Sequence, residues 1–139
     1  MHTKFYLDTA ILRDYMEDRG DGIRPLGEFA FRFLRDCEIN ECKVLYSELV
    51  LHELRRDYSD DKINEMLAPF RELLIKVEIS NEQIIESKKV KLERTGIPGA
   101  DILHALIARD NKAILVARDW HFEHLRDIAE IMKPEEIIF

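Results

Sequence analysis

The chain has 139 residues, 46% of them hydrophobic and 35% charged, with 5 Gly and 4 Pro, which fits one globular domain and excludes a disordered or Pro/Gly-rich array. Twenty-eight acidic residues against 21 basic give a net charge of -7, which removes any whole-molecule attraction for nucleic acid, so such a partner needs a local basic patch. No apolar run approaches the ~20 residues that cross a bilayer, no signal-peptide core opens the chain, and Cys37 and Cys42 make neither a zinc ribbon nor a disulfide framework, so we read the protein as cytoplasmic with reduced thiols.

Taken in chain order, a short apolar strand spans Lys4 to Asp8 and a helix Thr9 to Asp18, after which Gly20, Gly22 and Pro25 mark a loop. A second helix, Leu26 to Arg35, carries apolar residues at 26, 29, 30, 33 and 34. Val44 to Tyr46 is the next strand. Ser47 is placed to cap a helix running to about Asp57, and Asp60 or Asp61 to cap another ending near Leu73. Leu74 to Ile79 reads as a third strand, followed by a poorly patterned helix from Asn81 to Thr95 that Gly96 ends. Pro98 stands where a helix favours its first residue, and Ile102, Leu103, Leu106 and Ile107 give that helix an apolar face up to Asp110. The fully apolar run Ala113 to Ala117 predicts a strand buried on both faces, and Ile137 to Phe139 a last edge strand. Strands alternating with helices predict an α/β sandwich with a largely parallel sheet.

In such sheets ligands bind outside the carboxyl ends of the strands. Asp8 closes the first strand, Asp119 follows the fourth, and Asp101 stands in the first turn of the helix leading down into the fourth. A helix that spans the sheet must start at the edge where Asp8 lies, so Asp101 faces the same crevice. Glu48 and Glu53 both lie on the helix after the second strand, five residues and about 140° apart, and cannot both point inward. Glu48 is nearer the edge, Glu53 roughly 9 Å down the helix axis from Ser47, and periodicity leaves the choice between them open.

At this point the residues resemble a family, the PIN-domain nucleases and especially the small VapC-like toxins, along essentially the whole chain. The resemblance is carried by Phe5-Tyr6-Leu7-Asp8-Thr9, by Tyr46-Ser47-Glu48-Leu49-Val50-Leu51-His52-Glu53-Leu54, by Asp101-Ile102-Leu103-His104-Ala105-Leu106-Ile107-Ala108, and by Ala113 through Asp119-Trp120-His121-Phe122. By this similarity Glu53 matches the family's helix glutamate better than Glu48. The resemblance implies a three-layer α/β/α sandwich of 4-5 strands ordered 3-2-1-4-5, a site of Asp8, Glu53, Asp101 and Asp119, and a metal-dependent endoribonuclease acting on RNA as the toxin of a toxin-antitoxin pair. It departs from the family at Ala117, where a Thr or Ser is common, and at His121, where many members carry a further acid.

Carboxylates within about 5 Å repel by roughly 3 kcal/mol per pair at an effective dielectric of 20, so such a cluster binds a cation or shares protons. All-oxygen ligation suits Mg²⁺ or Mn²⁺ held by Asp8, Asp101 and Asp119, with Glu53 holding metal or orienting the attacking water. An antitoxin segment bearing Arg or Lys is the expected protein partner, since a guanidinium bridges two carboxylates, and a homodimer is the expected assembly.

Blander roles stand beside these. Thr9 caps its helix or contacts phosphate, Arg118 is a surface charge or contacts phosphate, and Lys88, Lys89, Lys91 and Arg94 form a solvated face or a phosphate-binding one. Trp120 and Phe122 read as packing residues, and His104, His121 and His124 lack zinc spacing. No GxGxxG or GxxxxGK[ST] supports a nucleotide binder. The rival reading is a catalytically weak PIN domain that binds RNA or protein.

Overall fold

The computed structural model describes residues 3–139. Its centre is β1 (Lys4–Leu7), in which Phe5, Tyr6 and Leu7 are all buried, so neither sheet face is open to water. Helix α1 (Thr9–Glu17) and helix α2 (Leu26–Ile39) follow, then β2 (Lys43–Ser47), α3 (Glu48–Leu54) and α4 (Asp60–Leu67). The chain continues through β3 (Leu74–Val77), α5 (Asn81–Glu93), α6 (Gly99–Asp110), β4 (Ile114–Val116) and β5 (Ile131–Met132). All five strands are parallel and lie in the order β3-β2-β1-β4-β5, and helices flank the sheet as the resemblance implies. Helices α1 and α2 pack together, as do α5 and α6.

Several boundaries move for identifiable reasons. Helix α2 runs a turn past Arg35 because Ala30, Phe33, Leu34 and Cys37 continue one buried stripe. Helix α3 stops at Leu54 and the chain turns before Asp57. Ser59, not Asp60 or Asp61, caps α4 by accepting from the Lys62 amide, and Pro69, which has no N–H, converts the end of that helix into a 3-10 turn, Ala68–Phe70. Strand β3 ends at Val77 instead of Ile79. A reciprocal Ser80–Gln83 capping box starts α5, whose exposed faces explain its poor patterning. Pro98 precedes α6 as its N-cap instead of opening it.

The last edge strand is Ile131–Met132, paired with Leu115 and Val116, and the expectation of a strand at Ile137 to Phe139 is wrong. Pro134 opens a 3-10 turn between the two segments, and Ile138 points into solvent, while the Phe139 ring approaches Phe5 and Phe33 at 6.1 and 6.3 Å. Three terminal apolar residues look like a strand in sequence, whereas Ile131–Met132, where only two residues pair, leaves almost no periodic signal.

Gly27 sets the approach of α2 to the end of α1. Its amide donates to the Arg19 carbonyl at 2.8 Å, and a Cβ there would lie 2.6 Å from both the Asp14 carbonyl oxygen and Asp18 Cα. These are backbone atoms that cannot swing aside. Gly27→Ala is therefore expected to destabilise the protein by about 2 kcal/mol, read as a lower denaturation midpoint with an unchanged slope.

Candidate active site

The parallel register brings four elements to one sheet edge. Asp8 leaves β1 beside the end of β4, and its amide donates to the Val116 carbonyl at 3.0 Å. Its side chain makes no capping bond to α1 and is almost wholly buried. Asp101 lies in the first turn of α6, where the positive end of the helix favours an acid. Asp119 follows β4 and caps the 3-10 turn Trp120–Leu125, accepting from the His121 amide at 2.9 Å.

On α3 the two candidate glutamates part company. Glu48 is exposed and bridges Lys76 on β3, at 2.6 Å, and Arg55, at 2.7 Å. Glu53 turns inward, where Thr9 Oγ1 and His104 Nε2 both contact its Oε1, at 3.0 and 2.6 Å. An ionised carboxylate only accepts, so both groups donate, and among the described residues Oε2 has no hydrogen-bond partner. Thr9 is thus a support for Glu53, and it makes no contact of the capping kind.

The group that sequence reasoning missed is His104. It is fully buried on α6, three residues after Asp101 and on the same face. Its Nε2 lies 3.8 Å from Asp8 Oδ1 as well as against Glu53, and its Nδ1 is 2.8 Å from the Tyr6 hydroxyl. That hydroxyl is 2.7 Å from Ser47 Oγ. A histidine interrupting the apolar stripe Ile102, Ala105, Leu106 was the available signal.

Burial pushes the Asp8 carboxyl up to about 6, against the relief given by His104 and with the charges of Asp101 and Glu53 adding to the rise. Asp101 is also raised, mainly by burial, with Asp119 and Glu53 adding to it and His104 and His121 opposing. Burial acts the same way on Glu53, but the hydrogen bonds from His104 and Thr9 outweigh it and hold the group below its ordinary value. Burial raises the Tyr6 phenol, with the nearby Asp8 and Glu53 charges adding to the effect.

His121 Nδ1 lies 2.9 Å from Asp119 Oδ1 and 3.3 Å from Asp101 Oδ2, yet it is buried and hydrogen-bonded to neither. Among the described residues no three His, Cys, Asp and Glu side chains close around a common point tightly enough to cage an ion as they stand. The donor set nevertheless fits a hard divalent cation. Asp8 feels the charge of Asp101 and Asp101 that of Asp119, burial destabilises the first two as anions, and among the described residues His121 Nδ1 beside them has no hydrogen-bond partner.

The other sequence candidates have different roles from those expected. Arg118 is a largely buried tie that binds Glu135 through two bonds of 2.6 and 2.7 Å and approaches Asp14 at 3.9 Å, so it is neither a surface charge nor a free phosphate ligand. Lys91 caps the end of α5 on the carbonyls of Thr95 and Ile97, and Arg94 pairs with Asp127. Phe122 packs into the core as expected, but Trp120 does not and is 63% exposed. The period of a 3-10 turn points Phe122 and Leu125 inward together and leaves Trp120 outside.

This arrangement is the PIN-like fold. The chain is similar to the crystal structure of VapBC2 from Rickettsia felis bound to a DNA fragment from their promoter, with a TM-score of 0.69 and 19% identity over 94% of this chain and 98% of that one. It is also similar to FitAcB from Neisseria gonorrhoeae, with a TM-score of 0.61 and 18% identity over 96% and 99% of the two chains. PAE2754 from Pyrobaculum aerophilum aligns with a TM-score of 0.60 and 16% identity over 98% and 94%. No family model matches the sequence, and no curated protein does.

An acid raised on folding binds more protons in the folded than in the unfolded state, so its stability contribution falls as pH rises through that interval. For Asp8 the interval runs from 3.8 to about 6, and the penalty above it is about 3 kcal/mol. In EDTA the wild type is expected to melt at a higher temperature at pH 5 than at pH 7. Asp8→Asn should lose most of that difference and exceed the wild type at pH 7. Thermal melts of both proteins across this range check it.

Proposed function

We propose that the protein is a metal-dependent endoribonuclease whose site is formed by Asp8, Glu53, Asp101 and Asp119, acting as the toxin of a toxin-antitoxin pair. The observation that carries this reading is the division of one acid cluster into two electrostatic kinds. Glu53 is kept ionised by two donors, while Asp8 and Asp101 are left short of positive charge. Acids left uncompensated in this way suit a cation, and the ionised one beside them suits a base.

Asp8, Asp101 and Asp119 would hold Mg²⁺ or Mn²⁺, which supplies positive charge to a phosphodiester and makes nearby water more acidic. Glu53 is fixed through Oε1 by Thr9 and His104, so its free Oε2 accepts a proton from the attacking water. Tyr6 holds the far nitrogen of His104 and keeps that ring, and hence Glu53, in place. No step in this scheme needs a 2′-hydroxyl nucleophile, so the products carry 5′-phosphate ends.

Cleavage of single-stranded RNA is expected with Mg²⁺ or Mn²⁺ and should disappear in EDTA. Glu53→Gln should lower turnover by about 100-fold or more, the range for removing a general base, whereas Glu48→Gln should leave it nearly unchanged. Full activity in EDTA, or 2′,3′-cyclic phosphate products, would overturn the reading. A second reading, a PIN-like module that binds without turnover, draws on His121, whose imidazole stands between Asp101 and Asp119. It requires RNA binding with no cleavage under any divalent cation.

The antitoxin part of the proposal rests on the same uncompensated acids and on the likeness to the VapBC2 structure. An Arg-bearing peptide should inhibit by bridging two carboxylates, and with a net charge of -7 its association should slow as salt rises. Stopped-flow binding at several ionic strengths, to wild type and to Asp8→Asn, checks both points. Indifference to salt and to the substitution would place the peptide elsewhere. The homodimer belongs to this same proposal and is checked by sedimentation.

A further inference from the structure

We infer that Trp120 is a stacking platform for one base of a single-stranded RNA whose backbone crosses the acidic site. This rests on the nuclease reading and adds a binding group to it. Three observations carry it.

The first is position. Trp120 directly follows Asp119, and its ring centroid is 4.1 Å from that of His121, the imidazole that touches both Asp101 and Asp119. A strand with a phosphate at the acids therefore passes the indole within a nucleotide's reach.

The second is presentation. The ring is 63% exposed, and its aromatic neighbours are two imidazoles, His121 inclined at 45° and His124 meeting it edge-on at 5.8 Å. The other exposed aromatic side chains differ: Phe31 is covered by Tyr15 and Phe70, and Phe139 by Phe5 and Phe33.

The third is the cleft beside it, about 510 Å³, which Trp120 and Ile97 line with apolar surface and Arg94, His124 and Asp127 with polar groups. Gly96 leaves its wall open, since a Cβ there would meet nothing within 4 Å. Arg94 is held by two bonds to Asp127, at 2.9 and 2.5 Å, and one to the His124 carbonyl, at 2.8 Å, which ties the end of α5 to the 3-10 turn and fixes the cleft. A flat aromatic face beside fixed polar groups suits a nucleobase, and every base has a face to offer, so stacking there selects single strands over duplex without reading sequence.

Trp120 is the sole tryptophan, so its emission reports the cleft directly. The experiment titrates a single-stranded hexaadenylate, and the same backbone with abasic sites, into wild type in EDTA and into Asp8→Asn in Mg²⁺. Base-dependent, saturable quenching is expected in at least one of these two conditions. Anisotropy with a labelled strand should show affinity about tenfold weaker for Trp120→Leu and close to wild type for Trp120→Phe. In cleavage assays Trp120→Leu should raise KM with little change in kcat.

Equal affinity for intact and abasic strands, or for wild type and Trp120→Leu, overturns the assignment. So does quenching by an Arg-rich peptide but not by RNA, which would give the ring to a protein partner. The two readings fail separately. Base-dependent quenching without cleavage under any cation leaves the platform and removes the nuclease; cleavage with a KM indifferent to Trp120→Leu does the reverse.

Discussion

The site depends on one buried hydrogen-bonded chain, Ser47 to Tyr6 to His104 to Glu53. Its first three members are fully buried, and polar groups at that depth each cost about 1–3 kcal/mol if left unpaired. They sit on β2, β1, α6 and α3, so a single run of bonds fixes four elements relative to one another at the carboxyl edge of the sheet. Because Glu53 only accepts, His104 Nε2 is the donor at the end of the chain. Ser47 stands at the N-cap of α3 but makes no capping bond there. Its hydroxyl is used across the sheet instead.

The same chain explains why neighbouring acids are displaced in opposite directions. Glu53 receives two hydrogen bonds on one oxygen and stays ionised despite burial, whereas Asp8 and Asp101 receive too little compensation to offset theirs. A carboxylate raised by burial is a standing cost to the fold. A cation placed among these groups would remove that cost, so ligand binding and stability are linked through the same atoms.

Much of this was legible in the sequence. The buried strands Phe5-Tyr6-Leu7 and Leu115-Val116 showed as unbroken apolar runs, and Asp8 and Asp119 as acids at their ends, because strand ends are local features. The choice between Glu48 and Glu53 was not readable from periodicity. What separates them is the capture of Glu48 by Lys76, 28 residues away on β3, a contact that exists only once the sheet is assembled. His104 was hidden for a related reason: on an apolar stripe its partners, Tyr6 and Glu53, lie 98 and 51 residues away. Trp120 reads as a packing residue beside Phe122, but the 3-10 turn turns only Phe122 and Leu125 inward, and the last strand is hard to see because a two-residue pairing leaves almost no periodicity.

The distribution of positive charge completes the picture. Arg55, Arg94, Arg109, Arg118 and Arg126 are each held by acids, and Arg13 pairs with Asp57. Lys91 is turned onto backbone carbonyls. The stretch Lys88, Lys89, Lys91 and Arg94, read in sequence as a solvated face or a phosphate-binding one, thus has two of its four cations already engaged, and the molecule as a whole carries -7. Long-range attraction cannot hold a polyanion on such a surface. Under the proposed function, affinity for RNA would have to come from short-range terms at the edge itself, namely a cation held by the carboxylates and an aromatic face for a base. The residues that would supply them meet at the end of β4, where Asp119 and Trp120 are consecutive and Arg94 pins the turn that carries them.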